Sequence, residues 1–186
     1  SDFRWKAQVY RLARRIPEGM ERIREGVWDR PLGVDVHGKT LGIIGLGAIG
    51  EEVAKRAAGF NMRILYHDVR RREELELALG VRYTDMPTLL SESDFVSVNV
   101  PLNASTRGLI GEAELRLMKE SAYLINTARG AVLQEQPLCE ALSQGWIAGA
   151  GLDVFAHEPP WGSPLLELDN LIPTPHVGAT THETLQ

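Results

Sequence analysis

Apolar residues recur along this chain with two different periods. Near the amino end Trp5, Val9, Leu12 and Ile16 fall on one stripe, and Pro17 and Gly26 bracket a second helical piece carrying Met20 and Ile23. Spacings of three and four put such residues on one side of a helix. From Thr40 onward, short apolar runs alternate with amphipathic stretches. Thr40–Ile44, Met62–His67, Val81–Tyr83, Phe95–Val100, Ala122–Asn126, Trp146–Val154 and Leu171–Thr174 read as strands. Helical stretches follow Gly50 and lie around Pro87–Leu90, near Glu112–Met118 and over Gln134–Gln144. Tyr123-Leu124-Ile125 is apolar at successive positions, as expected of a strand covered on both faces. Regular alternation of this kind predicts an α/β fold, a doubly wound parallel sheet in three layers with right-handed crossovers. The amino-terminal stripe lies outside that sheet and must pack on this domain or on a second copy.

Composition narrows the picture to one domain. With 186 residues, 44% of them hydrophobic, the chain can build one core and hardly two. Residues 1–30 read as a helical segment, 38–175 as the sheet core, and 176–186 as the start of a further helix. A net charge of −5 argues against nucleic acid as the main partner. No apolar run approaches the ~20 residues that span a bilayer, so no membrane partner is expected. Cys139 is the single cysteine, which excludes a disulfide framework and a thiolate metal cluster and leaves it as a small buried hydrophobe. No His, Asp and Glu cluster has metal-ligand spacing, so no metal is predicted. These features fit a cytoplasmic protein.

The densest chemical signal follows the first strand. Gly45-Leu46-Gly47-Ala48-Ile49-Gly50 is a G-x-G-x-x-G turn between a strand and a helix, and the second strand ends in Asp68, 18 positions beyond Gly50. Gly45 permits the tight turn, Gly47 lets the backbone approach a pyrophosphate, and Gly50 lets the helix pack closely. The helix N-terminus, at Ala48 and Ile49, offers N–H groups and a positive dipole end to phosphates. Asp68 sits where a carboxylate grips the adenosine ribose, and it would repel a 2′-phosphate. Arg70-Arg71-Arg72 pull the other way, but they open a stretch rich in Glu73, Glu74 and Glu76 and read as a salt-bridged surface. The ligand read from these residues is NAD rather than NADP.

In open α/β sheets ligands bind at the carboxyl ends of the strands. Walking those ends meets Asn99, Val100 and Pro101 after the fourth, and Thr127-Ala128-Arg129-Gly130 after the fifth. Asp153 and Glu158 follow the sixth, and Pro175-His176 the seventh. Arg129, Glu158 and His176 are therefore expected to converge beside a nicotinamide. A guanidinium can clamp a carboxylate or polarise a carbonyl, and an imidazole can shuttle an alcohol proton. A neighbouring carboxylate fixes the imidazole's tautomer and favours its charged form.

These blocks, together with Val100-Pro101-Leu102-Asn103-Ala104-Ser105-Thr106, Gly151–Pro160 and Pro173–Ala179, resemble the NAD-binding domain of the D-isomer-specific 2-hydroxyacid dehydrogenases. The resemblance runs from about Arg14 to the end and implies a Rossmann-type sheet. It implies catalytic roles for Arg129, His176 and its partner Glu158, and a nicotinamide-holding role for Asp153. Thr106, the Thr127–Arg129 backbone, and Ala48 and Ile49 over the pyrophosphate match further cofactor contacts, with Val100, Pro101, His176 and Gly178 lining the same pocket. Asn99 departs from the histidine that many members carry, and Ser1–Tyr10 lacks the family's apolar helix start.

Members resemble two-domain clamshells, and the resemblance implies that the substrate domain is absent here. The chain then reads as the cofactor half of an NAD-dependent 2-oxo acid reductase, self-associating as a homodimer through the Trp5–Ile16 stripe. The competing reading is a non-catalytic NAD(H)-binding module like the family's corepressors.

Overall fold

The computed structural model describes residues 2–178. Two helices open it, α1 (Asp2–Ala13) and α2 (Ile16–Arg24). Arg15 turns left-handed between them (φ 49°), and Pro17 then sits in the first turn of α2, where a missing N–H costs nothing. The sheet follows as β1 (Thr40–Ile44), β2 (Arg63–His67), β3 (Arg82–Tyr83), β4 (Phe95–Val98), β5 (Tyr123–Asn126), β6 (Gly149–Leu152) and β7 (Leu171–Pro173). Between the strands lie α3 (Ala48–Ala58), α4 (Glu73–Leu79), α5 (Met86–Glu92), α6 (Glu112–Leu117) and α7 (Glu135–Ser143). Asp85 caps α5 by accepting the Thr88 N–H at 2.8 Å.

The strands form one sheet in the order β3-β2-β1-β4-β5-β6-β7, every pair parallel. Successive side chains point to opposite faces, and each face has its own core. Leu41, Ile43, Tyr66 and Ile125 join Trp5, Val9, Val53 and Leu75 on one side. Ile44, Leu65, Leu124 and Leu152 join Leu89, Leu115 and Leu138 on the other. Helices α1, α3 and α4 thus cover one face and α5, α6 and α7 the other, which gives the three layers. The order of strands reverses between β1 and β4, so the two chains leaving them diverge and open a crevice at their carboxyl ends.

Some expectations change. The Trp5, Val9 and Leu12 stripe is buried inside this domain, because α1 lies across β5, β6 and β7. Each such side chain contributes roughly 1.5–3 kcal/mol to docking the helix. The stripe is therefore not a surface for a second copy, and Ile16, at the start of α2, is the member left exposed. The run Trp146–Val154 contains a strand only at Gly149–Leu152, because the Trp146 N–H donates to the Ala141 carbonyl (2.8 Å) and closes α7 instead. The fourth strand stops at Val98, ahead of Pro101, which has no N–H for a ladder. Cys139 is half-buried against the α5–α7 core rather than enclosed in it. Helix in the segment 1–30 ends at Arg24, and the further helix expected over 176–186 falls on residues 179–186, outside the described residues.

Candidate functional site

The crevice begins at the glycine turn. Gly45 is left-handed (φ 91°), its N–H donates to the His67 carbonyl at 2.8 Å, and a Cβ there would meet Val100 Cγ1 at 2.8 Å. A Cβ on Gly50 would meet the Gly45 carbonyl oxygen at 2.2 Å, so this glycine lets α3 start directly on the turn. Gly47 differs. It has an ordinary φ of −77°, and beyond its chain neighbours no protein atom lies within 4 Å of where its Cβ would be. Neither backbone nor packing within the protein asks for glycine there, and the missing Cβ leaves open space beside the N-terminus of α3. Ala48 and Ile49 stand exposed on the first turn of α3 beside it, Ile49 at 41%.

Asp68 closes the turn from β2. Its Oδ2 accepts the Leu46 N–H (2.7 Å) and its Oδ1 the Arg70 N–H (3.2 Å), so the residue expected to grip a ribose also holds the turn beneath it. Arg71 and Arg72 form the salt-bridged surface expected of them. Arg71 clamps Glu76 through two bonds of 2.8 Å, Tyr66 donates to the same carboxylate (2.8 Å), and Arg72 pairs with Glu74. Arg71 first and the Tyr66 hydroxyl second hold the Glu76 carboxyl down at about 2, while burial pushes Tyr66 up to about 12. Arg72 also donates to the Leu46 carbonyl (3.0 Å), a support for the turn that sequence reasoning missed.

Past β4, Val100 packs against the turn and Pro101 opens a compact loop. Thr106 Oγ1 donates to the Pro101 carbonyl (2.5 Å) and accepts the Asn103 N–H (2.9 Å). At the end of β5, Asn126 has a role that its place in the motif did not reveal. Fully buried, it accepts the Ala128 N–H (3.0 Å) and donates to the Arg129 carbonyl (2.9 Å), tying both ends of the Thr127–Arg129 turn. Gly130 then passes under the next loop, where a Cβ would meet the Phe155 carbonyl carbon at 1.9 Å. That close passage sets the Arg129 turn against the loop that carries Glu158. Glu135 fixes the same loop from α7 by accepting the Ala156 N–H (2.7 Å), also unforeseen from sequence.

The catalytic candidates come together in part. His176 Nδ1 lies 2.9 Å from Glu158 Oε2, and Glu158 Oε1 accepts the Phe155 N–H at 3.0 Å. The hydrogen bond from the imidazole holds the Glu158 carboxyl below its usual range. With Nδ1 turned to the carboxylate, Nε2 is the nitrogen left for a substrate. Arg129 is exposed and its guanidinium turns back on the Ala128 carbonyl (2.6 Å), so the pair is assembled and, among the described residues, the arginine is not joined to it. Asp153 is fully buried, and its Oδ1 accepts from Thr174 Oγ1 (2.6 Å) and the Val177 N–H (3.1 Å). It thus fastens the loop that carries His176, and Gly178 lies one residue further along that loop. His176 itself is left-handed (φ 51°). Of the other histidines, His37 lies 3.0 Å from the Asn61 amide and His67 bonds the Thr84 carbonyl while stacking on Tyr83, so both have packing partners.

A groove of about 900 Å³ lies at the opposite edge, where Arg11, Arg15 and Glu18 face the amino ends of β5, β6 and β7. It holds none of the expected site residues.

Comparison with known proteins identifies the family. The sequence profile of the D-isomer specific 2-hydroxyacid dehydrogenase NAD binding domain matches residues 7–178, starting before the Arg14 at which the motifs begin. A glyoxylate reductase of Korarchaeum cryptofilum is 51% identical over 185 residues, covering 96% of this chain and 56% of its own length. A glyoxylate/hydroxypyruvate reductase B of an Enterobacter species is 49% identical, with 96% and 57% covered. The D-lactate dehydrogenase of Aquifex aeolicus, solved with NAD and lactic acid, superposes with a TM-score of 0.89 at 36% identity over 96% of this chain and 59% of that one. The chain thus spans little more than half the length of the relatives it matches. It belongs to the D-isomer specific 2-hydroxyacid dehydrogenase family, as that family's NAD binding domain.

Proposed function

We propose that this chain is the cofactor half of a reductase that converts 2-oxo acids to D-2-hydroxy acids with NADH. The observation that carries the proposal is the Glu158–His176 contact of 2.9 Å, at the strand ends where the glycine turn also opens. The turn, Asp68 and the N-terminus of α3 would hold the dinucleotide, with Val100, Pro101, Thr106, the Thr127–Arg129 backbone and Asp153 along its nicotinamide half. Gly47 supports that fit, since its missing Cβ leaves room that only a ligand would use. When bound, the reduced nicotinamide supplies a hydride to the carbonyl carbon of the oxo acid. Arg129 pairs with the substrate carboxylate or polarises its carbonyl, and its exposed guanidinium keeps donors for that. His176 delivers a proton from Nε2 to the carbonyl oxygen, while Glu158 holds Nδ1–H and offsets the imidazolium charge.

Relatives named as glyoxylate and glyoxylate/hydroxypyruvate reductases favour small 2-oxo acids as substrates. The test is NADH oxidation by the full-length protein against a panel of 2-oxo acids. Glyoxylate or hydroxypyruvate should be turned over most efficiently; no oxidation with any member of the panel contradicts the reading.

A homodimer is part of the same proposal, through a different surface from the buried stripe. Ile16, Met20 and Ile23 on α2 are exposed, and beyond it Trp28 is 83% and Leu32 90% exposed. Such apolar residues in one segment mark an interface, and a two-fold pair is the commonest way to cover it. Light scattering should show a dimer that Trp28→Asp splits, whereas a monomer at high concentration contradicts it.

A further inference from the structure

One residue on the inner face of α1 is out of character. Trp5, Val9 and Leu12 are apolar and buried there, yet Gln8 on the same face is only 2% exposed. An amide buried among apolar groups is costly unless it is hydrogen-bonded. Its Nε2 donates to Thr174 Oγ1 at 3.0 Å, but its Oε1 is buried without a partner among the described residues. A methionine of the same length would fill this space with no such loss. Room has been made for Gln8 as well, because a Cβ on Gly151 in β6 would meet Gln8 Cβ at 3.0 Å and Oε1 at 3.1 Å.

The direction of the bonds follows from donor counting. Thr174 has one hydroxyl proton, and it goes to Asp153 Oδ1 (2.6 Å). The hydroxyl can therefore only accept from Gln8, which sets the amide nitrogen rather than the oxygen toward it. The same Asp153 oxygen accepts the Val177 N–H (3.1 Å). Thr174 and Val177 flank His176, whose left-handed backbone (φ 51°) is strained for a residue with a side chain and needs holding from both sides.

We propose that Gln8 is a positioning residue for His176, acting from α1 through Thr174 and Asp153 to hold the loop that aims the imidazole at Glu158. It touches neither substrate nor cofactor. Its importance rests on the reading of His176 as the proton donor, although the contacts themselves do not.

The test uses this chain with Gln8→Met. The melting temperature should stay level or rise, while the Val177 amide exchanges at least ~10-fold faster and amides in β1 and β4 keep their rates. The ¹⁵N shifts of the His176 ring should move toward a mixture of tautomers, a change that simple repacking of α1 would not cause. Thr174→Val should have the same effects on Val177 exchange and on the ring shifts, Thr174→Ser should retain the original signature, and Gln8→Met should add nothing to those two readouts on top of Thr174→Val. Unchanged Val177 exchange and ring shifts in Gln8→Met, or additive effects in the double variant, overturn the proposal. If Gln8→Met does not fold, Thr174→Val decides alone. Faster exchange of the Gln8 side-chain amide supports the link, and an unchanged rate rejects it. In the full-length protein Gln8→Met should lower kcat and leave KM for NADH within about twofold. Failure of the parent protein to reduce any 2-oxo acid would remove the proposed function and leave the exchange result standing.

Discussion

At the glycine turn the protein holds a length of backbone, whereas around His176 it holds the backbone and leaves the side chains open. The turn is fastened by the His67 carbonyl, by Asp68 and by Arg72, and its glycines at 45 and 50 are demanded by the protein's own atoms. At the other end Asn126, Glu135 and Asp153 grip the loops with comparable care. Yet Arg129, Glu158 and His176 all stand exposed. The difference fits the two tasks proposed for these regions. A phosphate site gains from a rigid cradle formed in advance. Groups that move a proton or clamp a substrate must stay reachable, and they need only a fixed base from which to act.

The sharpest way to break the contrast is at its open end. His176→Asn in the full-length protein should lower turnover by about 1,000-fold, within the range for loss of a general acid, and leave NADH affinity within about twofold. Steady-state kinetics with a binding titration checks this; an equal loss in both would place the imidazole in the binding frame instead. At the closed end, Gly50→Ala forces a Cβ onto the Gly45 carbonyl oxygen at 2.2 Å. That overpacking should cost about 3 kcal/mol, lower the melting temperature by roughly 10 °C and abolish cofactor binding. A variant that melts like the parent would show that α3 can slide off the turn.

Asp68 sharpens the comparison because it belongs to both frame and ligand. Asp68→Ala should weaken NAD about 10-fold and relax discrimination against NADP. Asp68→Asn keeps an acceptor for the Leu46 N–H, so it should lose less stability than the alanine variant in a melting scan. NADP bound as tightly as NAD by the unmodified chain would contradict the role. The smallest effect is on a pH profile. The imidazole holds the Glu158 carboxyl below its usual range, so the carboxylate stays ionised wherever an imidazole titrates. Whatever stability the pair adds is present above the usual carboxylate range and lost as pH falls through the lowered value. Glu158→Gln should therefore flatten the acid side of the melting-temperature profile relative to the unmodified chain. A superimposable profile would separate the two residues.

How much of this was legible in the sequence depends on whether the reason for a residue was local. Gly45 and Gly50 announce themselves because a tight turn and a close helix start are written in neighbouring positions, and the alternation of strands and helices carries the sheet with it. The destination of Trp5, Val9 and Leu12 was not legible, since a helical stripe says that a face is covered and not by what. Asn126, Glu135 and Gln8 were missed for a related reason. Each is an ordinary polar residue whose partner lies on a loop or helix brought near only by folding. Arg129 shows the limit from the other side: its motif named it, but the exposed guanidinium lies against its own turn rather than beside His176.

Gly47 offers the most direct test of the claim that this chain carries its NAD site complete. Apart from its chain neighbours, no atom of the protein lies within 4 Å of the Cβ it lacks, so Gly47→Ala should fold as the parent does, with a stability change under about 1 kcal/mol. Calorimetric titration should then show saturable NAD binding by the unmodified chain and binding at least ~10-fold weaker in the variant, the equivalent of a displaced pyrophosphate contact. Equal affinity in the two proteins, or no binding by the unmodified chain, would contradict the account.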